Sequence, residues 1–450
     1  MKHWQVMCAS LLVLGTAQAQ ENYTQWSGQR SYYLNTTPAG ANITGTIRNF
    51  PLLVRLGVAD SAVFTAAKAG GADLRFSRAS GVRLQHHIDS WNATTRAAAI
   101  WVRVDTILGN TQNQVLRMYW GKADASDSSR ATAVFDTANG YVAVWHMTGS
   151  GNDTDVTSNR FAAVAVTDSI PTAATGLIGA GRTLNGSAQH FTVAHHERLN
   201  ISEQITLSAW VNAAAWTGSA RILQKGQGTS SNAAQYGFRD NSSDNFAIEI
   251  NSSHAATAPS PSIGSWHLIH GTYDGSTITH YQDGVAVATA TNVTGPIATG
   301  TEAIKIGRSP LTTANFFNGT LDEVRLQKVA RSEGWVRLEY ESQRADQTLM
   351  KLTPVAIRVD RATGKSLGES FSVGTSSAGI TFVLPAGSGR ALVTVSDLRG
   401  KVVWSREAAL GSSLIWANDV SPAGTYAATL TVKEGAYAGR SYRTNFVLAR

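Results

Sequence analysis

Two acidic positions in the middle of the chain are the candidates for acid–base chemistry. Hydrolysis of a glycosidic bond with retention needs two carboxyl groups about 5 Å apart, which alternate residues of one strand can supply. Glu249 stands alone in its segment, since Ile250 and Asn251 follow it. Asp322 and Glu323 are adjacent, so on a regular strand they are expected to face opposite sides of the sheet. This spacing argues against a glycoside hydrolase.

Histidines are the next candidates, as ligands of a metal ion. His86 and His87 are adjacent, as are His195 and His196, and adjacent side chains on a strand point in opposite directions. His190 could approach His195 across a turn, but no third ligand accompanies that pair. The spacing therefore predicts no zinc site. The chain also lacks a G-x-S-x-G nucleophile elbow, a P-loop and a dinucleotide-binding fingerprint.

Composition narrows the class of protein further. The chain is 43% hydrophobic and 15% charged, which excludes wholesale disorder and argues against a long coiled coil. Its one cysteine excludes a disulfide scaffold and a multi-cysteine metal site. The net charge is +7, but no run of basic residues occurs, so we expect no nucleic-acid partner.

The first residues have the pattern of a secretory signal peptide. An apolar stretch, Val6–Gly15, is followed by the small-residue cleavage site Ala17–Ala19. We expect residues 1–19 to be removed, so that the mature protein starts at Gln20 and no longer contains Cys8. The apolar stretch is shorter than a membrane span, and no later segment is apolar enough to be one. The sequence therefore predicts a secreted or cell-surface protein without a transmembrane segment in the mature chain.

Residues 20–137 read as short β-strands with one short helix near Asp60–Gly70. In Ala98–Ile107, apolar and polar residues alternate with the period of two that is typical of a strand. The motifs NFP, DLRF, WVRV and YWG stand in order across this segment. In these motifs it resembles a bacterial domain of unknown function. The resemblance implies an antiparallel β-sandwich and a location outside the cytoplasm, but no chemistry.

Residues 138–345 show strands of five to eight residues at regular intervals, with hairpin signals at Asp274–Gly275 and Asp283–Gly284. The motifs LSAWV, WHLIHGTYDG, YQDG and FFNGTLDEVR follow in order. In these motifs the segment resembles the laminin-G-like, concanavalin-A-like jelly roll. A short helix, Arg331–Arg344, is predicted to follow, with Ser332 as its N-cap.

The resemblance to this jelly roll implies one metal site. In related domains an acidic residue of the last strand can bind a structural Ca²⁺ together with backbone oxygens of an entering loop. The corresponding residues here are Asp322 and the loop at Asn185 and Gly186. The alternative is that Asp322 accepts backbone hydrogen bonds in a turn. The segment with Asp153 and Asp155 resembles a calcium loop only faintly, because it lacks the closing glutamate.

Sugar binding would use exposed aromatic rings that stack on the sugar, with polar groups that read its hydroxyls. Four aromatic residues of the jelly roll lie in or beside predicted loops: Trp216, Tyr236, Phe316 and Phe317. They are the candidate ligand contacts, and packing in the core is the alternative for each of them.

The remaining chain reads as a linker, residues 346–375, and a small sandwich, residues 376–450. The motifs DLRGKVV and PAGTY resemble immunoglobulin-like C-terminal domains of secreted bacterial proteins, some of which are sorting signals. Residues 351–450 contain 12 Lys/Arg and 6 Asp/Glu, a local charge of +6. This module is expected to engage secretion or surface-attachment machinery, or else to be a structural sandwich.

The sequence thus predicts an all-β protein with three β-sandwich domains in series. The expected function is non-catalytic recognition of a glycan or an extracellular protein through the jelly roll. Structural or adhesive spacer modules and a glycoside hydrolase are the alternatives. Beyond a structural calcium ion, no cofactor is expected.

Overall fold

The fold is built almost entirely from antiparallel strands. A computed structural model of the chain describes residues 21–226, 234–242, 245–251, 254–310, 315–352, 371–376, 379–385, 387–397, 401–416, 424–435, 438–439 and 441–448. The predicted signal peptide, residues 1–19, lies outside the described residues. None of the helices in the described part of the chain has the length and apolar character needed to span a lipid bilayer.

The N-terminal module is one antiparallel sheet with a main hydrophobic core and a small separate cluster around Trp26 and Tyr119. Its strands from the start of the chain are β1 (Gly28–Leu34), β2 (Ile47–Leu56), β3 (Arg75–Arg78), β4 (Arg83–Asn92), β5 (Ala97–Ile107) and β6 (Gln114–Trp120). They are joined by α1 (Ser61–Ala66), α2 (Ala131–Val134) and 3-10 turns at Tyr23–Gln25, Val58–Asp60, Ala69–Gly71 and Thr137–Asn139. The strand order is β2-β5-β4-β3-β6-β1, and apolar side chains from both halves of this path meet in one buried cluster.

The strand that completes this sheet comes from much later in the chain. Strand β23 (Met350–Leu352) pairs antiparallel with β1, with Tyr32 opposite Leu352 and Leu34 opposite Met350. The sequence predicted a linker over residues 346–375. The start of that prediction is wrong, because residues 350–352 form an edge strand of the N-terminal module. Residues 353–370 lie outside the described residues.

The jelly roll is formed by sixteen strands of the described chain. They are β7 (Tyr141–Trp145), β8 (Asp153–Thr154), β9 (Ala162–Ala165), β10 (Thr172–Thr175), β11 (Ala180–Asn185), β12 (Phe191–Val193), β13 (Ile205–Ala215), β14 (Arg221–Gly226), β15 (Ala234–Ser242), β16 (Asn245–Ile250), β17 (His254–Pro259), β18 (His267–Tyr273), β19 (Ile278–Gln282), β20 (Val285–Ala290), β21 (Ile304–Ile306) and β22 (Asn318–Gln327). A 3-10 turn at Glu197–Leu199 precedes β13.

These strands make two sheets that enclose one core. The first, here called the covered sheet, has the order β10-β11-β22-β13-β18-β19-β20, with β7 paired to β22. The second, the open sheet, has the order β17-β16-β15-β14-β21-β12-β9-β8. Apolar side chains from both sheets interdigitate in one large buried cluster, which is the arrangement expected of a sandwich.

Two local signals of the sequence are confirmed here. Asp283 and Gly284, with φ of +52° and +78°, form the two-residue turn between β19 and β20. Helix α3 (Glu333–Gln343) follows the jelly roll, and the side chain of its N-cap Ser332 accepts the backbone N–H of Trp335.

The C-terminal module has its own core between two small sheets. Its strands are β24 (Ser372–Ser376), β25 (Gly379–Val383), β26 (Arg390–Asp397), β27 (Val402–Ala409), β28 (Ser413–Trp416), β29 (Gly424–Val432) and β30 (Ser441–Leu448). The sheet orders are β24-β25-β28 and β27-β26-β29-β30. The all-β class predicted from the sequence is confirmed.

Candidate functional site

The outer face of the covered sheet is packed against the N-terminal module and helix α3. Tyr141 and Val144 of β7 belong to the hydrophobic cluster of the N-terminal module, and so does Trp335 of α3. Trp210 of β13 donates from Nε1 to Oε1 of Gln343 in α3 at 2.7 Å. The N-terminal module and the jelly roll therefore share a continuous buried interface.

A β-bulge on β22 changes which side chains enter this interface. Arg325 lies opposite Ser208 of β13, and Asp322 lies opposite Trp210, so three steps on β22 match two on β13. Glu323 has a φ of +50°, a left-handed conformation that is uncommon outside glycine and marks the irregular position.

The bulge places Asp322 and Glu323 on the same side of the sheet. Leu321 and Val324, which flank them, both face the jelly-roll core. Oδ2 of Asp322 accepts the backbone N–H of Ile178, which belongs to the N-terminal module's cluster, and Glu323 contacts His146 in the interface. The expectation that these carboxylates face opposite sides is therefore wrong, because it assumed regular alternation.

Glu323 begins a fully buried chain of charged side chains. His146, which directly follows β7, places Nδ1 2.6 Å from Oε1 of Glu323, and Arg325 donates to Oε2 of Glu323 at 2.7 Å. Arg325 also donates to Oε1 of Glu339 in α3 at 2.7 Å, and Nε2 of His270 lies 3.2 Å from Oε2 of Glu339. These five side chains are at most 3% exposed. Charges from the jelly roll and from α3 thus pair with one another in the protein interior.

The electrostatics of this network follow from burial and pairing. Burial alone would raise the pKa of Glu339, but Arg325 and His270 hold it at about 2. Burial alone would lower the pKa of His146, but Glu323 raises it to about 9. The guanidinium of Arg325 lies 4.6 Å from the ring centroid of Trp101 in β5. The sequence pattern put Trp101 on the polar side of its strand, and it is buried because the jelly roll covers that side.

A second cluster lies beside this network. His87 and Asp89 of β4 lie near His146, the residue that follows β7, and one ligand atom from each of the three lies within 4.8 Å of the others. The rings of His87 and His146 are stacked, with centroids 5.5 Å apart. His86 points the other way, onto Phe76, as the alternation of the strand predicts. The three residues could hold a divalent metal ion.

Two atoms of this cluster have no hydrogen-bond partner among the described residues, Nε2 of His146 and Oδ2 of Asp89. Burial, together with the charge of His146, lowers the pKa of His87 to about 3. Burial raises the pKa of Asp89 to about 6. The side chain of His146 comes from the jelly roll, so the cluster joins the two modules.

The residues of the predicted calcium site are not brought together. Asn185 lies opposite Asn318 on β22, four residues from Asp322, which corresponds to ~13 Å along the strand. Oδ1 of Asn185 accepts the backbone N–H groups of residues 187–189, and Gly186 has a φ of +71° in the same turn. The three residues therefore do not form one calcium site, because the turn at Asn185 and Gly186 and the side chain of Asp322 lie at opposite ends of the β11–β22 pairing.

The four aromatic candidates lie in or against the jelly-roll core. Tyr236 and Phe317 are 0% exposed and Phe316 is 8% exposed. The hydroxyl of Tyr236 donates to the carbonyl of Leu199 at 2.8 Å. Trp216 is half-buried, packs against Phe317 and donates from Nε1 to the carbonyl of Pro261. Tyr236 and Phe317 offer no exposed ring to a ligand, so both are packing residues of the core. Trp216 keeps a partly exposed surface.

The outer face of the open sheet carries polar side chains around a floor of small residues. Gln224 lies opposite both Lys305 of β21 and Gly237 of β15, and Gly237 lies opposite Glu249 of β16. Residues opposite each other share a face, and the neighbouring Phe238 points into the core, so this row faces outward.

A second row on the same face adds two arginines. Arg221 and Arg239 are opposite each other, and Arg239 lies opposite Ala247. Nη1 of Arg239 is 3.7 Å from Oε1 of Glu249, and Nε of Arg221 donates to Oε1 of Gln224 at 2.6 Å. Burial raises the pKa of Glu249, and the two arginines counteract it. This face, here called the polar face, offers fixed donors and acceptors.

The sequence reasoning missed His146, Asp89 and the polar face. The sequence contained one signal: His87 and Asp89 are two positions apart on a strand, which places both side chains on the same side of the sheet. The third partner, His146, is 57 residues further on in another module, and no local pattern connects them.

Comparison with protein families identifies two parts of the chain. Residues 70–145 match the model of a domain of unknown function, DUF2341. Residues 185–337 match the concanavalin A-like lectin/glucanases superfamily. The chain therefore carries a DUF2341 domain followed by a concanavalin-A-like domain, as the sequence motifs indicated. A search of curated protein sequences gave no match.

Solved structures give distant similarities. Domain 4 of AbnA, an extracellular arabinanase from Geobacillus stearothermophilus in complex with arabinotriose, is 19% identical with a TM-score of 0.36, over 44% of this chain and 97% of that one. The binding domain of Paraclostridial Mosquitocidal Protein 1 is 14% identical with a TM-score of 0.37, over 66% and 76%. Trypanosoma rangeli sialidase is 15% identical with a TM-score of 0.36, over 55% and 42%. Similarity at this level says nothing about what this chain binds.

Proposed function

We propose that this chain is a secreted or cell-surface bacterial binding protein whose jelly roll recognises a glycan through the polar face. The observation that carries the proposal is the face itself. The covered sheet is closed off by the N-terminal module and α3, whereas the open sheet carries polar side chains around Gly237 and Ala247. Arg239 is 28% exposed there, and Gln224 and Glu249 are buried beneath it. Carbohydrate recognition depends on such fixed polar groups, which read the hydroxyls of the sugar.

The charge of the polar face points to an acidic glycan. Arg221, Arg239 and Lys305 bring three positive charges to the face that holds the carboxylate of Glu249. Arginine forms bidentate hydrogen bonds with carboxylate and sulfate-like groups, so uronate or sulfated sugars are the chemistry that fits best. Arg239 is the central residue, because it contacts Glu249 and retains 28% of its side-chain exposure.

A binding role is supported over hydrolysis by the surroundings of Glu249. Retaining glycosidases need a second carboxyl group about 5 Å away. Among the described residues, the charged groups that act on Glu249 are Arg239 and Arg221, and no other carboxylate is one of them. A lone carboxylate between two arginines orients a ligand but lacks the partner that two-step hydrolysis requires.

The test is a glycan array probed with the mature full chain and two matched variants. We expect binding to acidic glycans that falls at least tenfold in Arg239→Ala and weakens as salt rises. Arg406→Ala, which removes an exposed arginine of the C-terminal module, is the control and should bind normally. Equal binding by both variants, or binding to neutral sugars alone, would contradict the proposal. Release of reducing sugar from a bound glycan would show that the protein is an enzyme.

A further inference from the structure

The cluster of His87, Asp89 and His146 has the composition of a metal centre. Two imidazoles and one carboxylate form a set that is common around zinc and related divalent transition metals. A bound zinc ion needs ligand atoms at about 2.0–2.2 Å from the metal. The three ligand atoms lie within 4.8 Å of one another, so small side-chain rotations bring them to that spacing.

A second observation is independent of this grouping. His146 is 2% exposed, yet its Nε2 has no hydrogen-bond partner in the described structure. The neighbouring Oδ2 of Asp89 is buried and has no partner either. Buried polar atoms in native proteins are normally satisfied by protein, water or an ion, so these two neighbouring atoms are available as ligands of a metal ion.

The other nitrogen of His146 is already fixed. Nδ1 lies 2.6 Å from Oε1 of Glu323, and Glu323 is held in turn by Arg325. Metal-binding histidines usually donate their second N–H to a carboxylate, which orients the ring and makes the ligand nitrogen more basic. Nε2 is thus the nitrogen left for a metal, and the side chain of His146 belongs to the cluster with His87 and Asp89.

We propose that His87, Asp89 and His146 bind one divalent transition-metal ion, best matched by Zn²⁺, which fastens the N-terminal module to the jelly roll. His87 and Asp89 come from β4 of the first module, and His146 directly follows β7 of the second. The three protein ligands leave a further position to water. The nitrogen ligands distinguish this site from a calcium site, which takes oxygen ligands.

The test begins with untagged full-length mature protein stripped of metal by a chelator. We expect titration with Zn²⁺ alone to show one equivalent bound per chain by calorimetry and by elemental analysis after dialysis. Co²⁺ in place of zinc should give visible absorption bands of a low-symmetry nitrogen–oxygen site. Because the ion binds the folded state, Zn²⁺ should raise the melting temperature, and Ca²⁺ at the same concentration should not.

Two variants test whether the bound zinc ion lies at this cluster, and a third variant is the control. His87→Gln and Asp89→Asn are close in shape to the native residues, and we expect each to weaken zinc binding at least tenfold and to abolish the cobalt bands. His86→Gln changes the next residue of the same strand, which packs on Phe76, and should bind zinc normally. If His86→Gln fails to fold, His195→Gln in the jelly roll takes its place as the control.

The proposal is overturned by either of two results. One is the absence of a bound equivalent in wild-type protein at micromolar Zn²⁺. The other is equal zinc affinity in wild type, His87→Gln and Asp89→Asn, which would place any bound zinc elsewhere. Glycan binding at the polar face does not use these residues, so failure of either proposal leaves the other standing.

Discussion

Asp322 and Glu323 are consecutive residues of one strand, yet both carboxylates lie on the same side of the covered sheet. The reason is the bulge at Glu323, whose φ of +50° inserts an extra residue opposite β13. Without the bulge, Glu323 would not meet both His146 and Arg325. The irregularity thus supports the buried ionic network between the jelly roll and α3, which contacts Trp101 of the N-terminal module through Arg325.

Arg325 is the central cation of that network, and its removal should be strongly destabilising. In Arg325→Met, Glu323 and Glu339 would lose their shared partner in a dry interface. Breaking a buried ion pair in this way costs about 3–5 kcal/mol of unfolding free energy. Urea denaturation would measure the loss.

The matched control is Arg337→Met, on the exposed side of α3. Arg337 pairs with Glu333 one turn away and is 30% exposed, so its loss should cost at most about 0.5 kcal/mol. Similar losses in the two variants would show that the buried network contributes no more than a surface pair.

The shared interface should also make the N-terminal module and the jelly roll unfold together. We expect calorimetry of the mature chain to show one transition for these two modules and a separate one for the C-terminal module, which has its own core. Arg325→Met should lower the first transition and leave the second in place. Three independent transitions would contradict this arrangement.

Because strand β23 returns to the sheet of the N-terminal module, the effect of shortening the chain can be predicted. A protein ending at residue 345 loses β23 and the fully buried Leu349, whereas one ending at residue 352 keeps both. Burial of a leucine side chain contributes about 2 kcal/mol, and the lost edge strand adds to this. The shorter protein should therefore melt at a lower temperature, as circular dichroism can measure. Identical melting curves would mean that β23 contributes nothing.

The network also predicts how stability responds to acid. The pKa of Glu339 is held at about 2, below the value of about 4.3 for an unfolded chain, so its contribution is complete above pH 4.3 and is lost as the pH falls towards 2. The difference corresponds to about 3 kcal/mol. Glu339→Gln should be less stable at neutral pH, and its stability should fall less steeply between pH 4.3 and 2. Parallel curves of unfolding free energy would refute this.

The role proposed for the C-terminal module can be tested in the native bacterium. Because residues 351–450 carry a charge of +6, they suit contact with an anionic surface or with export machinery. Deleting residues 376–450 should leave export from the cytoplasm intact but reduce the protein at the cell surface. Cell fractionation and surface labelling would detect the change. Normal surface amounts of the shortened protein would leave this module a structural sandwich.

Local patterns in the sequence predicted much of the fold. Ser332 signalled the start of α3, and Asp283–Gly284 signalled a hairpin, because each depends only on neighbouring residues. The bulge at Glu323 was not predictable, since it depends on pairing with β13 and on a contact with His146, which is 177 residues away in the sequence. Tyr236 was misplaced for a similar reason: proximity to a loop says nothing about which side of the strand faces the core.

The pairing of β1 with β23 has a mechanical consequence. The chain enters the first sheet through β1 and leaves it through β23, and the two strands are antiparallel, with Tyr32 opposite Leu352. A force that pulls the two ends of the chain apart would therefore load this pair from one end and open its hydrogen bonds one after another. The jelly roll lies between β6 and β23, outside the direct line of tension. Within these two modules, the first event under load would be the peeling of the edge strand β23, and the jelly roll would stay folded until that strand had released.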